Sequence, residues 1–362
     1  MEEKVYVGVE NLKEFVSGIL KKMGVKKKYA EIVADVLVSA DRRGIPSHGV
    51  QRFKRCVDEI KAGRILPNNP PKIVKETKVS LLVDGQAGLG HVIGYLVMEK
   101  VIKKAKKSGI CFACVRNSTH YGIAGYYAMM ALPHNLIGIS MTNSDTLVVP
   151  TFAKDMIIGT NPIAVAVPTK NERPWVLDMA TATVPRGKVE IYARMGKKMP
   201  LVWATDENGN PTEDAQRVVI NLKEKKGGGL LPLGGAEEET GGHKGYNLSV
   251  LVDILSGVLS GAAYGNYVYK EKNPNIGHFF GAIDPEIFIG SDKLKERMDD
   301  YIKILKNAPK RVGKDRIYVA GEKEYEKEEE YKEKVPILKN VYDEILNIAK
   351  EVGYKGELKI MG

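Results

Sequence analysis

The stretch Val79-Ser-Leu-Leu-Val-Asp-Gly-Gln-Ala-Gly-Leu-Gly-His-Val-Ile-Gly94 decides between two architectures. Val79–Asp84 reads as a strand, and Ile93–Lys107 carries the apolar spacing of a helix. Between them Gly88, Gly90 and Gly94 form G-x-G-x-x-x-G, close to the dinucleotide-binding fingerprint. A doubly wound nucleotide-binding sheet needs more than glycines, because its next strand must end in a carboxylate that holds a ribose. Here the next strand, Gly109–Val115, runs into Arg116-Asn117. Strand-helix alternation also fails downstream, where Ile163–Pro168 and Trp175–Asp178 are strands with no helix between them. The glycines therefore read as a tight structural turn, and the chain as α/β with a mixed sheet.

Upstream of that stretch the pattern is helical. Leu12, Phe15, Val16, Ile19, Leu20 and Met23 share one face, and Ile32, Val33, Val36, Leu37 and Ala40 share another. Ser47 is positioned to cap a third helix with Val50, Phe53, Val57 and Ile60 as its buried stripe. The run Leu66-Pro-Asn-Asn-Pro-Pro71 marks a boundary. Downstream, Ile123–Leu132, Val184–Met195 and Tyr246–Ala263 read as helices, and Leu136–Asn143 as a strand. Lys223–Gly229 reads as a mobile loop. The end returns to helix (Lys293–Lys306), strand (Arg316–Ala320) and helix (Pro336–Val352), with Glu322–Lys334 a solvated charge run. The expected division is a helical, substrate-side domain from residues 1–75 with 290–362, and a mixed-sheet domain from 76–289.

Composition narrows the function classes. The 362 residues are 43% hydrophobic and 28% charged, enough for a large core. The start, Met1-Glu-Glu-Lys, does not resemble a signal peptide, and the weakly charged stretch Tyr246–Gly265 reads as a core helix rather than a membrane span. Three cysteines make no disulfide framework, and a reducing cytoplasm is the expected location. Cys111 and Cys114 lie three apart on a strand, hence on opposite faces, which disfavours a metal. The net charge of +10 is spread over scattered lysines without a basic, aromatic-interleaved stripe, so no nucleic-acid partner is expected. Abundant Lys and Glu with Gln only at 51, 86 and 216 suits a thermophile.

Four segments carry candidate chemistry. In Ser47-His-Gly-Val-Gln-Arg52, His48 and Arg52 are four apart, so they share one face if the segment is helical. An arginine can hold a carboxylate bidentately, and a histidine can move a proton near neutral pH. Asn117-Ser-Thr-His-Tyr-Gly-Ile-Ala-Gly-Tyr126 follows a strand and opens a helix, where backbone N–H groups bind phosphate. Gly159-Thr-Asn-Pro-Ile-Ala164 and Leu177-Asp-Met-Ala-Thr-Ala182 sit at strand ends, and Asp178 can accept ribose hydroxyls. Gly241-Gly-His-Lys-Gly-Tyr246 opens a long apolar helix, with His243 and Lys244 adding positive charge. Each segment alone also reads as ordinary loop or cap structure.

In this order and spacing, with Ile254-Leu-Ser-Gly-Val-Leu-Ser-Gly261 added, the blocks resemble the type II malate/L-lactate dehydrogenase family over roughly Asn11 to Gly353. The archaeal malate/sulfolactate branch is the most similar. The resemblance implies an oxidoreductase that moves a hydride between NAD or NADP and a small 2-hydroxy/2-oxo acid. Malate/oxaloacetate or sulfolactate/sulfopyruvate come first, with lactate a further option. It also implies a non-Rossmann cofactor domain and a homodimer. By motif, His48 is the preferred proton donor and acceptor, with Ser47 beside it, Arg52 on the substrate carboxylate and Thr160 facing the substrate. His120 lies at the nicotinamide end and takes the acid/base role in some relatives. The cofactor is expected against His120, Tyr121, Gly122, Ile123, Ala124, Ser144, Asp178, Met179, Ala180, Pro232, Leu233, Gly234, Arg316, Gly321 and Glu322. Lys188 stands where imino acid-reducing relatives carry an aspartate. It implies no acid relay there and leaves Lys188 a candidate for proton or substrate duties.

Three other readings remain on the sequence: a cyclic imino acid reductase or a ureidoglycolate dehydrogenase of the same family, and a metal-dependent hydrolase using His48, His120, His243 and Asp178. No H-x-H or H-E-x-x-H pair supports the last, and no metal is expected. The far end of the substrate and the choice between NAD and NADP are not legible.

Overall fold

The computed structural model describes residues 3–361, whose apolar side chains gather in three cores. The first is helical and joins both chain ends. Helices Val9–Lys22 and Lys27–Arg42 bury Leu12, Phe15, Val16, Ile19 and Leu20 against Val33, Val36 and Leu37, the faces that the periodicity marks. Helix Lys339–Glu351 closes this core with Val341, Ile345 and Ile348. The helix expected from Pro336 thus begins later, because Lys334–Leu338 is a strand paired antiparallel with Lys4–Gly8, Pro336 opposite Tyr6. That strand is an edge, where a residue without an N–H leaves no ladder bond missing from the interior.

The second core covers a seven-stranded sheet. Its order is Lys72–Glu76, Ser80–Asp84, Ile110–Ser118, Ile276–Ile283, Ile137–Thr142, Ile163–Val167, Trp175–Met179. One neighbouring pair is parallel, Ser80–Asp84 with Ile110–Ser118, joined by the crossover helix Gly90–Ser108. The other neighbours are antiparallel. The two strands read as lacking an intervening helix are indeed a direct antiparallel pair. The sheet's middle strand, Ile276–Ile283, has no counterpart in the sequence reading. It is buried on both faces, so it shows no polar–apolar alternation.

A third, smaller core lies between a four-stranded sheet and helices Arg186–Arg194 and Ala215–Glu224. Residues 225–228 make the turn from the second of these helices into strand Gly229–Leu230. The expected strand Arg316–Ala320 is a loop instead, held to the sheet edge by Val176 N–H donating to the Ala320 carbonyl at 3.2 Å. Nearby, Asp299 of helix Ser291–Asn307 accepts the backbone N–H groups of Lys170, Asn171 and Glu172, tying this helix to the same edge. The helix expected over Tyr246–Ala263 runs as Gly242–Asp253 and ends in a π-helical turn, Ile254–Val258. Among the described residues no helix is long and apolar enough to cross a membrane.

The glycine-rich turn places the helical core on the sheet. Gly90 N–H donates to Thr119 Oγ1 at 2.8 Å, and a Cβ on Gly90 would lie 2.1 Å from the Thr119 carbonyl oxygen. Gly122, at φ +86°, passes so close to the second helix that a Cβ would meet Val36 at 2.6 Å. These contacts let His91, His120 and the segment around His48 meet at the boundary between the two cores.

Candidate active site

The site is built first by an arrangement of short turns. Pro46–His48 and Val50–Arg52 are successive 3-10 turns, and the α-helix proper starts at Phe53. Ser47 therefore caps no helix, and its hydroxyl lies 3.0 Å from His48 Nδ1. His48 and Arg52 come together across the two turns rather than on one helix face. Arg52 Nε donates to the Ser47 carbonyl at 2.7 Å, which folds the guanidinium back toward the histidine. Buried Asp41 holds the second turn by accepting the Val50 N–H at 2.8 Å. Burial pushes that carboxyl up to about 8, against the opposing effect of the Val50 N–H.

His120 approaches from the end of strand Ile110–Ser118. Its ring stacks on that of His48, with centroids 5.6 Å apart and planes at 25°. Gly122 N–H donates to His120 Nδ1 at 3.3 Å. The neutral ring then carries its proton on Nε2. His91 stands edge-on to His120 at 6.2 Å, buried, with neither ring nitrogen hydrogen-bonded among the described residues. All three imidazoles favour the neutral form. His48 is lowered to about 4 by burial and then by Arg52. His120 lies well below the ordinary range through burial, with His48, His91, Arg52 and Arg55 adding to it. Burial alone brings His91 to about 4. The depression of His48 comes from burial and a guanidinium, and Lys188 takes no part in it. The exposed Lys188 ammonium lies over the Trp203 ring, 4.8 Å from its centroid.

A cleft of about 250 Å³ adjoins this recess and is lined by Arg43, Gly125, Asp178, Tyr318, Gly321 and Lys323 among others. Asp178 sits on the edge strand and accepts the Gly125 N–H at 2.8 Å, so one oxygen is spent on opening the helix Ala124–Met129. Burial raises its carboxyl to about 6, partly offset by that N–H and by Arg43. Glu322 does not line the cleft: it pairs with Lys306 at 2.9 Å and Arg316 at 3.2 Å and accepts the Val319 N–H, fixing the loop that does. Tyr121 contributes only main chain, since its ring is 1% exposed, packed between His278 and Tyr127. Gly122, Ile123 and Ala124 are likewise buried as the chain passes from the recess to the cleft.

The remaining expected residues bond and pack with one another. Thr160 N–H donates to Ser144 Oγ at 3.0 Å, and their hydroxyls are 3.3 Å apart. Thr181, following Met179 and Ala180, donates its hydroxyl to the Thr160 carbonyl, and its own carbonyl accepts the Leu233 N–H. Pro232-Leu233-Gly234 is pressed on the glycine-rich helix start. A Cβ on Gly245 would lie 2.1 Å from the Leu233 oxygen, and one on Gly234 would lie 2.5 Å from Gly241. The Gly241–Gly245 block thus serves close backbone packing. Among the described residues no group of three or more His, Cys, Asp or Glu side chains could hold a metal ion.

Sequence reasoning passed over His91, Arg43 and Arg55. His91 had a signal: it is the one polar side chain of Gly88-Leu-Gly-His-Val-Ile-Gly94. Arg43 had none, because its burial beneath the Tyr325 ring and against Glu328 depends on contacts remote in sequence.

The chain that brings these imidazoles and this guanidinium together belongs to the malate/L-lactate dehydrogenase family, a family of oxidoreductases, whose profile matches residues 7–346. It is 48% identical over 358 residues to a malate dehydrogenase of Pyrococcus abyssi, covering 98% of this chain and 97% of that protein. It is 38% identical to an L-sulfolactate dehydrogenase of Methanocaldococcus jannaschii, covering 95% and 96%. The fold superposes on a malate dehydrogenase crystal structure from Entamoeba histolytica with a TM-score of 0.92 at 40% identity, covering 97% of this chain and 99% of that one.

Proposed function

We propose that this chain interconverts a small 2-hydroxy acid and its 2-oxo acid with NAD or NADP, malate/oxaloacetate or sulfolactate/sulfopyruvate being the preferred class. The observation that carries the reading is the convergence of His48, His120 and Arg52 in one recess. Arg52 pins the substrate carboxylate, and Thr160, whose N–H is held by Ser144 Oγ, faces the substrate. His48 exchanges the hydroxyl proton. His120, with Nδ1 occupied by the Gly122 N–H, offers Nε2–H to the substrate oxygen. A neutral His48 is ready to accept a proton from an alcohol. In the reverse direction a carboxylate on Arg52 offsets the cation that disfavours charge on His48, so substrate binding raises its proton affinity.

A dinucleotide fits the residues present. Asp178 keeps one carboxylate oxygen for a ribose hydroxyl, Arg43 and Lys323 offer charge to phosphates, and Gly321 at φ +90° gives a backbone approach. At about 250 Å³ the cleft suits one end of such a molecule, ligand pockets usually being roughly 300–1,000 Å³. When bound, the nicotinamide supplies or accepts the hydride. The mostly antiparallel sheet supports a non-Rossmann cofactor domain over 76–289. The shared helical core supports a second domain from 1–75 with 290–362, though helix Ser291–Asn307 also bonds the sheet edge. A homodimer is supported by the half-exposed apolar face of Leu251, Ile254, Val258 and Leu259. The three cysteines, all free thiols, suit a cytoplasmic enzyme.

The test is to incubate purified protein with NADH or NADPH and, in turn, oxaloacetate, sulfopyruvate, pyruvate and cyclic imino acids. Rapid oxidation with an oxo acid is expected. No oxidation of either cofactor across the panel overturns the reading.

A further inference from the structure

We propose that Arg55 binds the second anionic group of a diacid substrate, beside the carboxylate held by Arg52. This rests on the dehydrogenase reading above and adds what selects the far end of the molecule. Arg52 has helical backbone angles, φ −87° and ψ −6°, and helix Phe53–Lys61 follows directly. Arg55 is three residues on, so the two guanidinium stems leave one face, with Cβ atoms roughly 5–6 Å apart. Two ends of a four-carbon diacid, or of its three-carbon sulfonate counterpart, can bridge that spacing.

Arg55 is held in place without being used up. Glu59 takes its Nε edge at 3.0 Å, and among the described residues no hydrogen bond occupies its two Nη groups. The Tyr269 ring lies beneath the guanidinium, 5.2 Å from centroid to Cζ. Tyr269 sits at φ +64°, a left-handed conformation that is an outlier for a bulky residue and persists where surrounding structure enforces it. A simple Arg55–Glu59 surface pair needs no such floor.

Charge completes the argument. Arg55 and Arg52 disfavour each other's neighbourhood, and both fields reach His120. Glu190, paired with Arg186 at 2.7 Å, and Asp145, paired with Lys225 at 3.4 Å, are the acidic groups that also face this pair. Glu59 offsets one guanidinium, and a single substrate carboxylate offsets the other only at Arg52. A second carboxylate or a sulfonate supplies the anion that the Arg55 Nη edge lacks.

The experiment compares kcat/KM for oxaloacetate and for pyruvate in the wild-type enzyme, Arg55→Ala and Arg55→Lys, with the preferred reduced cofactor. The wild type should favour oxaloacetate. In Arg55→Ala the oxaloacetate-to-pyruvate ratio should fall at least about 30-fold, chiefly through KM for oxaloacetate. Arg55→Lys should recover part of the ratio, and if Arg55→Ala does not fold, Arg55→Gln is read the same way. Equal losses with both acids, no loss with either, or a wild type indifferent between them overturns the proposal. A wild type that oxidises neither cofactor with any oxo acid overturns the dehydrogenase reading instead, and this assignment with it.

Discussion

His278 and His48 are both shielded imidazoles, held to about 3 and about 4 chiefly by burial. Their surroundings differ. His278 has Nδ1 at 2.8 Å from the Thr142 hydroxyl, Nε2 at 2.7 Å from the Ser118 hydroxyl, and the Tyr121 ring stacked on it at 4.4 Å. Nothing is left to bond. Among the described residues His48 has only Nδ1 engaged, by Ser47, and it lies against His120 beside a guanidinium. A depressed pKa therefore says only that a ring is dry. Under the proposed function, a free nitrogen beside a guanidinium is what separates a proton carrier from a core residue.

The widest gap should appear on truncating the two kinds of histidine. His48→Ala should lower kcat about 10²–10⁴-fold, the usual worth of a positioned acid/base, with cofactor affinity largely kept. His120→Ala should cost turnover less, as the oxygen-side donor. His278→Ala should instead destabilise the fold by about 2–4 kcal/mol, from the cavity and the orphaned Ser118 hydroxyl, with kcat of the folded fraction within a few-fold of wild type. Turnover, cofactor titration and thermal melts read all three. The contrast breaks if His278→Ala is the variant that loses chemistry.

Next in size is Arg52→Ala, for which KM for the oxo acid should rise about 30-fold or more. Arg52→Lys should rescue it poorly, because an ammonium lacks the planar fork. Steady-state kinetics decide. Gly49→Ala comes third: a Cβ there would lie 2.0 Å from Asp41 Oδ1. The carboxyl must leave the Val50 N–H, moving the turn that carries Arg52. A stability loss of about 1–3 kcal/mol together with a raised KM is expected, from denaturant melts and kinetics.

The smallest effect is a pH dependence. Asp41 titrates at about 8 when folded, against ~3.9 for an unfolded chain. Folding thus takes up a proton in this window, so the contribution of Asp41 is full below about pH 4, falls as pH rises, and is gone above about pH 8. Asp41→Asn keeps an acceptor for Val50 and does not titrate. Its Tm advantage over wild type should grow between pH 4 and pH 8, and a pH-independent difference would remove buried Asp41 as the cause.

Much of this was legible beforehand where local pattern and tertiary role agree. The first two helices and the crossover unit follow from periodicity, and the direct strand pair from the lack of a helix between Ile163–Pro168 and Trp175–Asp178. The middle strand did not, because Ile276-Gly-His-Phe-Phe-Gly-Ala-Ile283 is buried on both faces and its glycines are there for close approach. A Cβ on Gly277 would lie 1.9 Å from the Ser256 oxygen. The strand Lys334–Leu338 was hidden by the charge run before it and by Pro336. The closeness of His48, His120 and Arg52 was anticipated by motif order, whereas that of Arg55 and Tyr269 was not. Their partnership spans distant segments, and neither bears a local signature.

The most direct test follows the imidazole nitrogens by ¹⁵N NMR in the enzyme with its cofactor, across pH 3 to 8, with and without oxamate as an unreactive oxo-acid mimic. His48 should stay neutral down to about pH 4 and shift to a higher pKa when oxamate binds, while His278 does not respond. A His48 that titrates near its ordinary value of 6.5 and ignores oxamate would contradict the account.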